Sequence, residues 1–248
     1  MSAPDHILDC NCESVTWLCF SPGADWLAVA ASVPYIRLWS LSDRRLTRAM
    51  PAPRVGRTDA LHLWYDWVSF TRDGTCVLSL DCDGRLCLCD TQSDTCESLA
   101  EFSKCISVAA LAPDSCTLAW GTDEGVVVWD LRLRKTERAL DFGVAAPGLV
   151  SCVGFSPSGD TVAAALDSDT AVTVFGLGDA SPLLRLVGHD DLVLALDYSQ
   201  DGRLLATASR DNSVRVWRLD GGQEIARFQG DGNLVRSVAF SPNGYSGI

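Results

Sequence analysis

Short apolar runs, separated by turn-forming residues, recur along the whole chain. Runs such as Leu204 to Ser209 are bounded by Gly, Asp, Asn or Pro, which is the pattern of short β-strands joined by tight turns. The clearest turns each follow one aromatic or apolar residue, and these turn anchors lie 41 to 50 residues apart: Phe20, Phe70, Leu111, Phe155, Tyr198 and Phe240. A period in the forties predicts stacked β units whose exposed faces are buried by a neighbouring unit.

A second anchor confirms the register of the repeat. A strand-ending residue follows each of the first five turn anchors by 18 to 20 residues, at Trp39, Cys89, Trp129, Phe175 and Trp217. Because two independent anchors agree, the repeat is not a chance recurrence.

These residues resemble the WD-repeat (WD40) β-propeller family, whose unit runs from Gly-His to Trp-Asp. The best copy has Gly188-His189, Arg210-Asp211-Asn212 and Trp217, and Trp129-Asp130 supplies the literal dipeptide. The resemblance covers roughly residues 14 to 244. It implies an all-β, WD40-type β-propeller with five complete four-stranded blades and the first strand of a sixth, interpreted as part of a seven-bladed propeller.

The expected organisation is an N-terminal segment at 1–13, a possible closing strand, followed by the propeller at 14–248. The blades are expected at about 14–50, 64–103, 105–143, 149–187 and 191–229, with a partial sixth at 234–248, whose inner strand would be Leu234 to Phe240. Two interpretations remain open. Either the chain is a fragment or isoform of a longer protein, or Asp5 to Cys12 closes an irregular five- or six-bladed ring.

Composition fits one domain inside a cell. The 248 residues are 47% hydrophobic with eight tryptophans, and the chain has no long uncharged apolar run and no basic, signal-like N-terminus. The cysteines number 11, and those in predicted strands are expected to be small buried hydrophobes in a reducing compartment: Cys19, Cys76, Cys87, Cys89 and Cys152. The expected location is therefore intracellular, in cytoplasm or nucleus.

The net charge and the spacing of possible metal ligands limit the classes of partner that the sequence predicts. A net charge of −12 argues against direct nucleic-acid binding and favours protein partners, including basic peptide segments. The pairs Cys10-x-Cys12 and Cys87-x-Cys89 lack zinc-site spacing, and the sequence contains three histidines. We expect no metal, no cofactor, no membrane and no small-molecule substrate.

The resemblance implies a hydrogen-bonded tetrad in the fifth blade. It would join His189, Asp211, Trp217 and either Thr207 or Ser209, which share a strand face and are not distinguished by sequence. A Ser/His/Asp set could serve as a nucleophile, but a tetrad uses these groups to satisfy one another. We expect no catalytic residue here.

The other blades carry the tetrad incompletely. Turn aspartates are expected at Asp83, Asp123 and Asp169, six residues before the strand-ending residue, whereas the first blade has Val33 at that position. Cys89 and Phe175 replace tryptophan. These blades should therefore depend on apolar packing.

The family's usual binding surface is the narrow end around the channel. Carried over position by position, the partner-binding face would contain Trp64, Asp66, Thr122, Ser168, Leu192, Leu194, Arg210 and Arg236. Arginine and aromatic side chains are frequent anchors of peptide sites.

The expected function is a non-catalytic protein–protein interaction scaffold that presents peptide-binding surfaces within a larger complex. One alternative is a small nucleolar, ribosome-processing scaffold subunit, because Leu186 to Asp197 is similar to a blade of transducin-beta-like proteins of that complex. The other alternative is an enzyme framed by the propeller.

Overall fold

Twenty β-strands make up the regular structure of this chain. The computed structural model describes residues 14–31, 35–51, 65–81, 83–93, 95–102, 106, 108–143, 148–232 and 234–241. Within these ranges the strands form five four-stranded antiparallel sheets, and no helix occurs. The predicted all-β fold with five four-stranded blades is confirmed, and we call the sheets blades one to five. The chain divides into two compact units, 1–105 and 106–248.

The first unit contains two blades. Blade one consists of β1 (Val15–Phe20), β2 (Trp26–Ala31), β3 (Tyr35–Ser40) and β4 (Arg45–Pro51). Blade two consists of β5 (Tyr65–Phe70), β6 (Cys76–Asp81), β7 (Arg85–Asp90) and β8 (Cys96–Glu101). In both blades each strand pairs with the next one in sequence.

The second unit contains three blades with the same strand order. Blade three consists of β9 (Ala109–Leu111), β10 (Thr117–Thr122), β11 (Gly125–Asp130) and β12 (Lys135–Leu140). Blade four consists of β13 (Val150–Phe155), β14 (Thr161–Leu166), β15 (Val172–Gly176) and β16 (Pro182–Leu186). Blade five consists of β17 (Val193–Tyr198), β18 (Leu204–Ser209), β19 (Ser213–Arg218) and β20 (Gln223–Gln229).

A side-chain hydroxyl closes the first turn of four blades and explains the recurring turn anchors. Ser199 Oγ, for example, accepts a hydrogen bond from Leu204 N at 2.9 Å. The same contact is made in the other three blades by Ser21, Thr71 and Ser156. Blade three has Ala112 there, and Asp114 accepts from Cys116 N and Thr117 N instead. The repeated Ser or Thr is thus the residue that satisfies the backbone as it enters the second strand.

Apolar cores form where the faces of neighbouring blades meet. In the first unit, Ile36 and Leu38 of blade one form a core with Val68 and Phe70 of blade two. In the second unit, blade four is covered on both faces. Its Val162 and Phe175 pack with Val126 and Val128 of blade three, while Val172 and Val174 pack with Leu205 and Trp217 of blade five. Strand alternation therefore gives blade four two buried faces.

The expectation that Cys89 is a free buried thiol is wrong. Cys89 and Cys96 lie directly opposite each other on β7 and β8, with Cα atoms 4.0 Å apart, and form a disulfide. Cys87 and Cys152 are buried as expected, and burial raises the pKa of each thiol to about 12. Cys19 and Cys76 are only partly buried.

Residues 234–241 do not form the strand expected at Leu234 to Phe240. They run beside blade five, where Val235 N donates to Ser209 O at 3.1 Å and Phe240 N donates to Asp197 Oδ2 at 2.6 Å. A strand needs a ladder partner, and every inner strand above pairs with the second strand of its own blade. No described residue takes that place for 234–240. The predicted closing strand at Asp5 to Cys12 lies outside the described residues.

Two leucines on β16, one buried and one exposed, test whether side chains alternate between a buried and an exposed face of this strand. Leu186 is 1% exposed and packs between blades four and five, whereas Leu183 on the same strand is 55% exposed. We expect Leu186→Ala to lower the free energy of unfolding by about 2–5 kcal/mol. Leu183→Ala should change it by less than about 0.5 kcal/mol. Urea denaturation followed by far-ultraviolet circular dichroism measures both, and equal losses would contradict this packing.

Candidate functional site

A chain of hydrogen bonds links four side chains of blade five. His189 precedes β17, Thr207 lies in β18, Asp211 lies in the turn that follows, and Trp217 lies near the end of β19. Trp217 Nε1 donates to Thr207 Oγ1 at 2.9 Å, and Thr207 Oγ1 lies 2.7 Å from His189 Nε2. His189 Nδ1 lies 2.8 Å from Asp211 Oδ2. The structure thus brings together His189, Thr207, Asp211 and Trp217, which we call the blade-five network.

The directions of these bonds follow from the groups. Trp217 Nε1 can only donate, so Thr207 Oγ1 accepts there. A neutral His189 that donates from Nδ1 to the Asp211 carboxylate has no proton on Nε2, so Thr207 Oγ1 donates to that nitrogen. His189 then carries its proton on Nδ1 and donates it to the Asp211 carboxylate. A neutral histidine and an ionised aspartate therefore satisfy every donor in the chain.

The electrostatics agree with these protonation states. Burial lowers the pKa of His189, although the Asp211 carboxylate opposes that shift. Burial alone would raise the pKa of Asp211. Hydrogen bonds from Ser213 Oγ, Asp190 N and His189 outweigh that effect, so its pKa is lowered. Both shifts favour the neutral ring beside the ionised carboxylate.

Ser209, the other hydroxyl predicted for the tetrad, has different partners. Its Oγ donates to Asp191 O and accepts from Asp211 N, both at 3.0 Å. It holds the turn in place and does not contact His189. Sequence alone did not single out Ser213, whose Oγ donates to Asp211 Oδ1 at 2.6 Å. Its position two residues after the turn aspartate, as the first residue of β19, is the one signal that marks it.

Position 188 has no room for a side chain, because Arg215 and Trp217 lie against its backbone. A Cβ atom there would lie 2.5 Å from Arg215 Nη1 and 2.9 Å from Trp217 Cη2. Arg215 itself is 5% exposed, and its Nη1 donates to Glu224 Oε2 at 2.6 Å. Glycine before His189 therefore allows the loop to lie against the arginine and the indole.

The turn aspartates predicted for the other blades differ in their hydrogen bonds and exposure. Asp169 Oδ1 accepts from Ala171 N at 3.1 Å, and its Oδ2 pairs with Arg185 Nη2 at 2.6 Å. In blade two the turn is held by Asp81, whose Oδ1 accepts from Asp83 N and Arg85 N. Asp81 occupies the place that Ser209 has in blade five, and sequence analysis missed it. Asp83 and Asp123 are exposed.

Part of the predicted partner-binding face comes together at one end of blade five. Arg210 N donates to Leu192 O at 2.8 Å, and Val235 N donates to Ser209 O, which places Arg236 in the adjoining segment. Arg210 and Arg236 are exposed, and Leu192 and Leu194 are half-buried. Among the described residues neither guanidinium has an ion-pair partner. We call Leu192, Arg210 and Arg236 the Arg210 surface.

The other residues predicted for the partner-binding face differ in whether their side chains are exposed. Thr122 is 2% exposed, because its Oγ1 closes the two-residue turn by donating to Gly125 O and accepting from Glu124 N. It therefore does not present its side chain to a partner. Ser168 is exposed in the corresponding hairpin of blade four, and Asp66 is half-buried in the first unit. Trp64 lies outside the described residues.

A shallow pocket lies at the opposite end of blade five. Its lining includes Asp201, Arg203, Leu204, Arg218 and Asp220, and no member of the blade-five network. Arg218 Nε pairs with Asp220 Oδ1 at 3.0 Å, so much of its charge is internally compensated. The hydrogen-bonded histidine and this pocket are therefore separate features.

Neither a metal-binding cluster nor a membrane-spanning helix occurs among the residues that the structure describes. These residues hold no group of three His, Cys, Asp or Glu side chains placed to bind a metal ion. They also include no helix with the length and apolar character needed to span a bilayer.

Comparison with known proteins points to one family of repeats. The model of the family "WD domain, G-beta repeat" matches residues 180–218, which contain the whole blade-five network. The chain is 26% identical over 238 residues to apoptotic protease-activating factor 1 of Rattus norvegicus, covering 92% of this chain and 18% of that protein. It is 31% identical over 164 residues to nuclear distribution protein PAC1 of Arthroderma benhamiae, covering 62% of this chain and 33% of that protein.

A third relative is small ribosomal subunit protein RACK1y of Oryza sativa subsp. japonica. The identity is 34% over 104 residues, which cover 42% of this chain and 31% of that protein. The matched segments thus span one third or less of the length of these relatives.

Thr207 and Ser209 are distinguished by one pair of substitutions. We expect Thr207→Val to leave the Trp217 indole N–H and His189 Nε2 without a partner, at a cost of about 1–3 kcal/mol in the free energy of unfolding. The indole N–H resonance of Trp217 should move toward the position of a non-hydrogen-bonded indole. Ser209→Ala should leave that resonance in place, although it also loses two hydrogen bonds. Movement of the resonance in Ser209→Ala alone would contradict the assignment.

The lowered pKa of His189 predicts a pH dependence of stability. The folded protein takes up a proton at His189 less readily than the unfolded chain, whose reference pKa is 6.5. Stability from the neutral ring is therefore fully present above pH 6.5 and decreases as the pH falls below that value toward the folded pKa. The lowered pKa of Asp211 adds a loss that begins only below about pH 4.

Urea titrations at several pH values between 7 and 5 measure this effect. His189→Gln should be less stable than the native chain at pH 7 but should show a flatter pH dependence in this window. Asp201→Asn is the control, because hydrogen bonds from Ser199 Oγ and Arg203 N hold the pKa of that exposed carboxyl below its usual range, outside the window. An unchanged slope in His189→Gln would show that another group causes the dependence.

Proposed function

We propose that this chain, which is a WD-repeat protein, is a non-catalytic interaction scaffold that binds partner proteins through the Arg210 surface. The supporting observation is the placement of two unpaired, exposed arginines beside a half-buried leucine at one end of blade five. Arginine offers five donors and an apolar stem, and a leucine beside it offers apolar contact. Such a combination suits the central contacts of a peptide site.

The charge around this surface is mixed. Asp190 and Asp191 are exposed just before Leu192, so carboxylates and guanidinium groups lie within the same few residues. A partner segment with an apolar anchor and charges of both signs would find complementary groups here. The basic segments expected from the net charge of −12 would contact the aspartates.

A structural role for the blade-five network is the second part of the proposal. Thr207 is 0% and His189 is 5% exposed, so the hydroxyl that would act as nucleophile is covered. Its oxygen already accepts from an indole and donates to the imidazole. A nucleophile needs access to substrate and donors for the developing oxyanion. These contacts support a scaffold over an enzyme.

The general scaffold function and the ribosome-processing alternative imply different partners. RACK1y bears a ribosomal name, which accords with the alternative of a ribosome-processing scaffold, but its similarity covers 42% of this chain. The general scaffold function is better supported. Location in cytoplasm or nucleus stays a prediction.

Matched charge reversals test the Arg210 surface. We expect Arg210→Glu together with Arg236→Glu to lose specific partners of the native chain in affinity capture followed by quantitative mass spectrometry. The control is Arg203→Glu with Arg227→Glu, which changes the net charge equally at the opposite end and on the outer strand of blade five. Circular dichroism establishes that both variants are folded. Identical partner sets for the two folded variants would contradict the proposal.

A further inference from the structure

The disulfide of blade two connects its outermost strand to the strand beside it. Cys89 on β7 lies directly opposite Cys96 on β8, the last strand of this sheet. Their Cα atoms are 4.0 Å apart, which is the close spacing of an antiparallel pair that exchanges no backbone hydrogen bonds. The covalent bond is therefore what joins the two strands at this point of the ladder.

The backbone holds the two cysteines opposite each other whether or not their sulfur atoms are bonded. Four further residue pairs, the first of them Arg85 with Glu101, join β7 to β8. On the other side of the cysteines, Asp90 N donates to Thr95 O at 2.9 Å and closes the hairpin. Because these contacts do not involve sulfur, two thiols formed by reduction stay adjacent. Such positioning gives a high effective concentration for forming the bond again.

The two sulfur atoms differ in their access to solvent. Cys89 is 0% exposed and belongs to the apolar core that blades one and two share. Cys96 is half-buried and packs against the edge of that core. A thiolate from solution therefore reaches the disulfide at Cys96, with Cys89 as the sulfur that leaves.

Among the residues that the structure describes, the other two thiols of blade two are poor nucleophiles. Burial raises the pKa of Cys87, two residues before Cys89 on the same strand, to about 12. Cys76 on β6 is half-buried, and burial raises its pKa as well. Thiol–disulfide exchange needs a thiolate, so neither of these groups competes for the Cys89–Cys96 bond near neutral pH.

The redox state of the pair determines how firmly β8 is held. At the position of Cys89, blades four and five have the rings of Phe175 and Trp217, which fill the core between blades. Blade two has small sulfur groups there, so reduction removes a cross-link that no ring replaces. The hairpin before β8 also carries Gln92 O, which accepts from Arg48 Nη1 of blade one at 2.5 Å. Loosening β8 therefore also affects a contact within the first unit.

We propose that Cys89 and Cys96 form a reversible redox site, which exchanges with small thiols and disulfides of the glutathione type and controls how firmly β8 is held. Reduction begins when a thiolate attacks Cys96 Sγ. The Cys89–Cys96 bond breaks, a mixed disulfide forms on Cys96, and Cys89 takes up a proton. A second thiolate attacks the small thiol's sulfur, which leaves as a disulfide and releases Cys96 as a thiol. Two small thiols thus become one small disulfide, and the reverse sequence restores the protein's bond.

Exchange kinetics of the folded chain test the reversible site. The oxidised full chain is incubated with reduced glutathione, and its thiols are trapped with iodoacetamide and located by peptide mass spectrometry. We expect the rate to rise in proportion to the glutathione concentration and to be insensitive to urea well below the unfolding transition. Glutathione disulfide should then restore the bond. A rate that rises steeply with urea would show that the bond is cut only after global unfolding, and would overturn the proposal.

Hydrogen exchange measures the consequence for β8. Its amides should exchange roughly 10- to 100-fold faster in the reduced chain than in the oxidised chain, because no cross-link restrains local opening. Cys96→Ser should exchange as the reduced chain does, even after treatment with glutathione disulfide. Cys116→Ser is the matched control, because it removes a half-buried free thiol of blade three and keeps the disulfide. Equal exchange of β8 in the oxidised and reduced native chains would contradict the proposal.

Discussion

A four-stranded blade has two apolar faces, and each face must be covered by another part of the protein. Blade four shows this constraint met on both sides, since alternate residues of its strands enter the cores shared with blades three and five. Burial of apolar area is worth about 25 cal/mol per Å², so an uncovered face forgoes most of what stabilises the sheet. The inner strand β1 illustrates the opposite case, with Val15, Leu18 and Phe20 between 46% and 57% exposed. The repeat is therefore a unit of stacking, and the properties of each blade depend on its neighbours.

Polar groups that enter these faces can satisfy one another, as they do in blade five. In blade five the indole of Trp217, the hydroxyl of Thr207, the ring of His189 and the carboxylate of Asp211 form one chain of donors and acceptors. Blade four solves the same packing problem with Phe175, which needs no partner and is 0% exposed. Blade two places Cys89 there and connects it covalently to the outer strand. The three solutions share a strand position and differ in whether polar bonds, apolar contact or a covalent bond holds the outer strands.

Sequence spacing predicted the sheets because a repeated turn and a repeated strand end leave little freedom between them. The choice between Thr207 and Ser209 could not be made in that way, since both point to one face of β18 and only the reach of His189 distinguishes them. The turn role of Asp81 was missed because Asp83 has the expected spacing, while the hydrogen bonds depend on which carboxylate faces the backbone of the hairpin. The partner of Cys89 depended on the pairing of β7 with β8, which spacing does not encode. The segment Leu234 to Phe240 has strand-like composition, but a strand is a property of two paired segments.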